Sequence, residues 1–268
     1  MRVEAITGLV KEQVDEVVAR VAGHLGTGEI ARPGGRPAAL GLYDSVVLVI
    51  HLLRRNPVQH VAAAFFHVSQ ATVSRRWDLL RPLIATVLED LAPDPRAIIR
   101  AGTALVDGTI CPTWDWKHRG DLYSVKAGYA GMNVQIACSM DGDLAAIGPM
   151  PIPGARHDAY AYAASGLKGL MDGIHQLADL GYVGVEGIDV VPYKRRPGSD
   201  LHENYKRDNK LLSGVRAAVE RAVAHVKSWR ILSEEGGRYR APLEKFPEVL
   251  AAITGLINLR RFRRVAYE

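Results

Sequence analysis

The sequence predicts a two-part α/β protein: a helical part over residues 1–98, then a mixed sheet flanked by helices over residues 99–268. Up to residue 98 the apolar residues recur at helical spacing. From Ala104 the texture changes to short apolar runs that end in Asp or Gly, as strands do. The order then reads three strands, a helix, two strands and a long helix. Antiparallel strands followed by β-α-β crossovers give a mixed sheet with helices on its faces.

In the first part, Thr7 to Val21 carries Leu9, Val10, Val14, Val17, Val18 and Val21 at helical spacing, with Thr7 as the expected N-cap. "GTGEIARPGGRP", residues 26–37, reads as a loop or linker. A helix is expected over Leu42–Arg55, stopped by Asn56–Pro57. Val58–Ile84 reads as helix, short turn, helix, with Ala62, Ala63 and Phe66 packed, "HVS" at the turn and Ser69 as N-cap. Gln70, Thr72, Ser74, Arg75 and Arg76 open the second helix, and short polar and basic side chains there suit a DNA major groove. This spacing resembles a helix-turn-helix; a plain helical bundle is the alternative.

In the second part, "ALVDGTICPTW" is a strand carrying Asp107, and Asp141-Gly142 marks a hairpin between two further strands. "HDAYAYAASGLKGLM" reads as a helix. "HQLADLGYVG" is a short strand ending at Asp179, and "GIDVVPYK" another strand. Asn204 to Trp229 is helical, and Leu243–Arg264 forms a last amphipathic helix with a basic tail.

Composition narrows the class of function. At 48% hydrophobic and 24% charged, the chain is that of a globular protein with a real core. It has no run near the ~18 apolar residues of a membrane span, and its first residues do not read as a signal peptide. Two cysteines without a CxxC, Cys111 and Cys138, suggest reduced thiols and argue against a zinc site. The net charge of +5 is uneven: residues 101–190 hold ten acids against five bases, and residues 191–268 hold seventeen bases against nine acids. Clustered carboxylates suit divalent cations and a basic flank suits nucleic acid, although solvated faces of random sign would look the same.

Three acids stand out by context. Asp107 and Asp179 sit on predicted strands or their ends, where a lone Asp is unusual unless paired. Glu220 lies among Arg216, Arg221 and Lys227 on the long helix. At about 100° per residue, Arg216, Glu220 and Lys227 fall on one stripe, within about 40° of each other. Oxygen-only ligands favour Mg²⁺ or Mn²⁺, and two such ions can activate a water and stabilise the leaving oxygen of a phosphodiester. For Glu220 the competing explanation is an i,i+4 pair with Arg216, worth about 0.2–0.5 kcal/mol. Asp158, in "RHDA", is either an N-cap or first-turn acid or, with His157, an organiser of the site. Lys126 and Lys194 are candidate phosphate contacts, or merely solvated lysines.

At this point the sequence resembles a known family, the DDE transposases of bacterial insertion sequences, in the group related to the Harbinger-type transposases. "LVDGT" is similar to the first-Asp motif and "LADLGYVG" to the second. "LYSVKAGYAGMNVQIACSMDGDL" looks like the strand-hairpin block between them, and "PGARHDA" like a Gly-x-x-His-Asp element. The block from Val191 to Leu232 is similar to the one that carries the glutamate, and Val58–Ile84 to the helix-turn-helix that precedes the catalytic domain. Arg216, Glu220 and Lys227 keep the Arg-x3-Glu-x6-Lys spacing of a related signature, whose tyrosine position is Ser213 here.

The resemblance implies an RNase H-like catalytic domain in which Asp107, Asp179 and Glu220 bind two Mg²⁺ ions, with Mn²⁺ as a substitute. It implies cleavage at the inverted-repeat ends of a mobile element and transfer of the 3′-hydroxyl into target DNA. The expected partners are double-stranded DNA and at least one further copy of the chain, since two element ends must be coupled, and the expected setting is the bacterial cytoplasm at the nucleoid. Two other readings fit the same motifs: a domesticated nuclease without strand transfer, and a DNA-binding regulator that keeps the fold as a scaffold.

Overall fold

A computed structural model describes residues 3–30, 38–100, 102–114 and 118–265. In chain order it contains helices α1 (Val3–Thr7), α2 (Lys11–Leu25), α3 (Leu42–Arg55), α4 (Gln59–Phe65), α5 (Gln70–Val87) and α6 (Pro95–Ile98). Strands β1 (Thr103–Pro112), β2 (Tyr123–Ser124), β3 (Tyr129–Ser139), β4 (Leu144–Ile147) and β5 (Ile152–Pro153) follow. Then come α7 (Asp158–Ala164), α8 (Leu167–Leu170), β6 (His175–Leu177), α9 (Glu203–Lys227) and α10 (Phe246–Val265). The chain divides into two compact units, residues 1–92 with 228–268, and residues 93–227.

The first unit is helical. Its centre is α3, where Val46, Val47, Leu48, Val49, Ile50 and Leu53 are all buried, so the helix is enclosed on nearly every side. It stops at Asn56, in the left-handed region at φ 49°, just before Pro57. Thr7 does not cap the helix that follows it. It closes α1, its hydroxyl donating to the Val3 carbonyl at 2.8 Å, and Gly8 at φ 74° turns the chain so that α2 begins only at Lys11. α4 and α5 are joined by a turn with His67 at φ 54°, and Ser69 caps α5 by accepting the Thr72 N–H at 3.2 Å. Most of the expected loop, from Ala31 to Pro37, lies outside the described residues.

The last helix differs from the expectation that it belongs with the sheet. α10 packs on α5 in the first unit. Arg81 of α5, almost wholly buried over the Trp77 ring, donates through Nε and Nη2 to Glu248 at 3.0 and 2.6 Å. Val249, Leu250, Ala252, Ile253, Leu256, Ile257 and Leu259 are buried, which is too broad an apolar surface for one sheet face.

The second unit is built on a six-stranded, mostly antiparallel sheet. β2, β3, β1 and β6 follow one another across it, and β4 and β5 also pair with β3. β1 and β3 pair antiparallel along almost their whole length, from Ala104↔Ser139 to Pro112↔Gly131. β6 pairs with β1 in parallel, Leu105 opposite Leu177. The hairpin predicted at Asp141-Gly142 joins β3 to β4, with Gly142 at φ 87°. The helix expected over 157–171 is two, split at Gly166, whose φ of 80° ends the first. The strand expected in "GIDVVPYK" shrinks to one parallel bridge, Val190 to Leu177. There the Asp189 carboxylate takes the Gln176 N–H at 2.7 Å, replacing a ladder bond. α7, α8 and the turn at Tyr182 cover a core of Val106, Ala137, Tyr162, Leu167 and Met171, while α9 lies on β1 and β3.

Candidate active site

The parallel pairing of β1 and β6 fixes two of the predicted acids. Leu105 and Leu177 are opposite each other, and two residues farther on each chain carries a carboxylate, Asp107 and Asp179. Asp107 Oδ1 accepts the Gly108 N–H at 2.8 Å. Asp179 caps a short 3₁₀ turn, Leu180–Tyr182, by accepting the Gly181 N–H at 2.8 Å.

A third carboxylate joins them. Asp158 opens α7, and its side chain is only 14% exposed. Its Oδ1 accepts from Asn133 Nδ2 at 2.9 Å and Gln135 Nε2 at 3.4 Å, while Oδ2 faces Lys126 Nζ at 3.6 Å. Asn133 and Gln135 are two apart on β3 and buried, so they share one face. Gln135 Nε2 donates to Asn133 Oδ1 at 2.8 Å, and the buried Tyr182 hydroxyl donates to Gln135 Oε1 at 2.7 Å. The network therefore runs from Tyr182 through Gln135 and Asn133 to Asp158. Both motif glycines serve it. A Cβ on Gly108 would collide with Asp158 Oδ1 and Gln135 Nε2. One on Gly181 would lie 2.9 Å from Asp179 Oδ1 and 3.5 Å from Asp158 Oδ2, so this glycine sits between two carboxylates.

The electrostatic result is concentrated at Asp107. Burial, then the charges of Asp179 and Asp158, push its carboxyl up to about 6, against the pull of the Gly108 N–H and Lys126. Such a group is poised between its two charge states near neutral pH. Asp179 lines two spaces. One is a cleft of about 540 Å³ bounded also by Lys126, Tyr129, Arg156, His157 and Asp158. The other is a pocket of about 60 Å³ shared with Asp107, Ser213 and Arg216.

Not all predicted residues meet here. Arg216 does, with Nη2 4.0 Å from Asp179 Oδ2. Glu220 is exposed on α9, which turns Ala218, Val219, Ala222 and Val226 inward instead. Lys227 is half-buried, and its charge acts on Cys111, four residues beyond Asp107 on β1. Lys194 is exposed in the loop before α9. His157 caps α7, Nδ1 accepting the Tyr160 N–H at 3.1 Å. Among the described residues no three His, Cys, Asp or Glu side chains converge as a ready-made metal centre. Both cysteines are free and buried, with their thiols pushed up to about 12 by burial.

In the first unit, Gln70 and Arg75 are exposed at the start of α5, and Thr72, Ser74 and Arg76 are partly covered. Gln70 donates to Gln59 of α4, and the buried Arg76 Nε has no partner. Sequence reasoning passed over Asn133, Gln135 and Tyr182. The signal for Asn133 and Gln135 was present in "GMNVQIAC", where two amides at i and i+2 interrupt an apolar strand on one face.

Two comparisons with known proteins converge on this architecture. A family model described as DDE superfamily endonuclease matches residues 106–258. A protein of Streptomyces albus G, assigned as the transposase for insertion sequence element IS112, is 34% identical over 202 residues, covering 75% of this chain and 74% of its own. No solved structure matches the chain. The six-stranded sheet with its helices fits the RNase H-like fold of such endonucleases. The chain belongs to the DDE superfamily endonucleases, as a transposase of the insertion-sequence type.

Proposed function

We propose that the protein cuts DNA at the inverted-repeat ends of a mobile element and joins the freed 3′-hydroxyl to target DNA. The observation that carries this reading is that Asp107 on β1 and Asp179 just past the end of β6, each two residues beyond a paired leucine, lie together beside Asp158 and Arg216. Endonucleases of this superfamily depend on divalent metal ions. The donor set fits such ions: it is all oxygen, and Asp107, whose carboxyl is raised first by burial and then by the charges of Asp179 and Asp158, would be relieved by a cation. Asp107 and Asp179 would hold them, two Mg²⁺ or Mn²⁺, with Glu220 of α9 as the proposed third ligand. Bound there, such ions supply charge that activates a water and stabilises the oxygen leaving phosphorus.

The remaining roles belong to the chain. Asn133 and Gln135 fix Asp158, which with His157 shapes the cleft behind the pair. Arg216, Lys126, Lys194 and Lys227 would hold phosphates on either side of the cut bond. α4 and α5 would act as a helix-turn-helix, with Gln70, Thr72, Ser74, Arg75 and Arg76 toward the major groove. Coupling of two element ends calls for at least a dimer on DNA. No helix among the described residues is long and apolar enough to cross a membrane.

Incubation with element-end duplex, target DNA and Mg²⁺ tests the reading. Cleaved and joined products are expected, both lost in Asp107→Ala with duplex binding retained. Cleavage without joining would reduce the protein to a nuclease, binding without either to a regulator, and cleavage by Asp107→Ala would remove the site.

A further inference from the structure

Immediately before and within the first turns of α9 lies a surface of which the proposed cleavage site uses only Lys194. Tyr193 and Tyr205 stack on each other, ring centroids 4.1 Å apart at 28°, yet they are 46% and 44% exposed. Two stacked aromatic rings this exposed leave an outer face to solvent, which is a poor use of them as core. Tyr193 is also pinned. Its N–H donates to Asn209 Oδ1 at 2.8 Å and its carbonyl accepts from Asn209 Nδ2 at 3.0 Å, so the loop residue is clamped to the helix. His202 meets Tyr205 edge-on at 6.1 Å.

The surroundings are basic. Lys194, Arg195, Arg196, Lys206, Arg207 and Lys210 are all exposed. Lys206 is paired with Glu203 at 2.8 Å, and no other member of this set has an ion-pair partner among the described residues. The surface also begins beside the carboxylates, because Pro192, one residue before Tyr193, lines the pocket shared by Asp107, Asp179 and Arg216.

We infer that this is a binding platform for an unpaired stretch of DNA, with a base stacked on the Tyr193–Tyr205 pair and phosphates on Lys194, Arg195, Arg196, Arg207 and Lys210. Cations attract any nucleic acid, but an aromatic face adds affinity only for a base that has left the duplex stack. The inference rests on the proposed DNA chemistry and specifies the form of DNA held next to it.

The test is fluorescence anisotropy on the full chain, without metal, using a labelled single-stranded oligonucleotide and a blunt duplex of the same sequence. Tyr193→Ala and Tyr205→Ala should each weaken single-strand binding about tenfold and leave duplex binding within about twofold. Tyr205→Trp, which keeps a stacking face, should restore most of the loss. Arg195→Ala with Arg196→Ala should weaken both probes and flatten the salt dependence by about one to two phosphate contacts. Equal binding by wild type and both tyrosine variants would overturn the platform, as would equal losses on the two probes or no single-strand binding by wild type. A 2-aminopurine placed in the oligonucleotide should be quenched by wild type and not by either Ala variant. Wild type that cleaves element ends while the tyrosine variants bind normally would sink this inference alone. Wild type that neither binds nor cleaves duplex would sink the proposed function.

Discussion

Asp107 and Glu220 are both acids of the predicted triad, and the structure treats them in opposite ways. Asp107 is held in the middle of the sheet, facing Asp179 and Asp158, with a carboxyl pushed up to about 6. Glu220 stands exposed on α9, one residue beyond the buried Val219. A strand residue is committed by its ladder: once Leu105 faces Leu177, the acids two positions on are brought together. A helix residue is committed only by the surface on which the helix rests. The stripe of Arg216, Glu220 and Lys227 is real, but the face that α9 buries is set by Ala218, Val219, Ala222 and Val226. Burial and like charges therefore bear on Asp107, while Glu220 stands in solvent, a difference that mutation can probe.

The largest effect expected is on activity, and there the two acids should agree. Asp107→Asn, Asp179→Asn and Glu220→Gln should each reduce metal-dependent cleavage of element-end DNA by at least about a thousandfold if all three act on the ions. Duplex affinity should change by less than about threefold. A cleavage time course paired with gel-shift titration reads both. Full activity in Glu220→Gln would move the third ligand role away from α9, with Asp158 the nearest carboxylate to inherit it.

Stability against pH should separate them. A carboxyl raised from 3.8 to about 6 on folding binds its proton more tightly in the folded chain. The folded state thus takes up a proton between about pH 4 and 6, and stability falls as pH rises through that window. The whole contribution is of the order of 3 kcal/mol, present below pH 4 and lost above pH 6. Urea unfolding of metal-free protein across this range should show the decline. Asp107→Asn should flatten it and be the more stable protein at pH 7, whereas Glu220→Gln should keep the wild-type slope. A decline that persists in Asp107→Asn would place its origin elsewhere.

Gly108→Ala probes how tightly the buried acids are packed. The added methyl meets Asp158 Oδ1 and Gln135 Nε2, neither free to retreat, since Gln135 is held by Tyr182 and Asn133. Overpacking of this kind costs about 1–3 kcal/mol, and thermal unfolding should show it. Cleavage should fall as well, because Asp158 would be displaced. An unchanged melting temperature would mean that the cluster yields easily.

These contrasts also mark what the sequence could reveal. The acids on β1 and just past β6, the hairpin at Asp141-Gly142, the cap at Ser69 and the span of α3 were readable because each depends on neighbours in sequence: a period of two, a turn dipeptide, a side chain bonding its own helix. The place of α10 was not readable, since an apolar helix says that it is buried and not by what. Nor was the role of Asp158. Read locally it is a first-turn acid. Only the fold brings Asn133 and Gln135 of β3 to it, and only there do Gly108 and Gly181 leave the room that a side chain would fill.

The smallest effect belongs to Glu220 in the absence of metal. An exposed carboxylate on a helix face contributes little to folding, and its neighbours Arg216 and Arg221 are occupied elsewhere: Arg216 lies 4.0 Å from Asp179, and Arg221 donates to the Asp141 carbonyl at 3.2 Å. Glu220→Gln should shift metal-free stability by less than about 0.5 kcal/mol, as surface substitutions do. Adding Mn²⁺ should change that. Wild type should gain stability by mass action, and the variant less, because a ligand that binds the folded chain stabilises it in proportion to its affinity. If both gain equally, Glu220 contributes nothing to the ions. If the variant gains less, Glu220 helps to hold the ions beside Asp107 and Asp179.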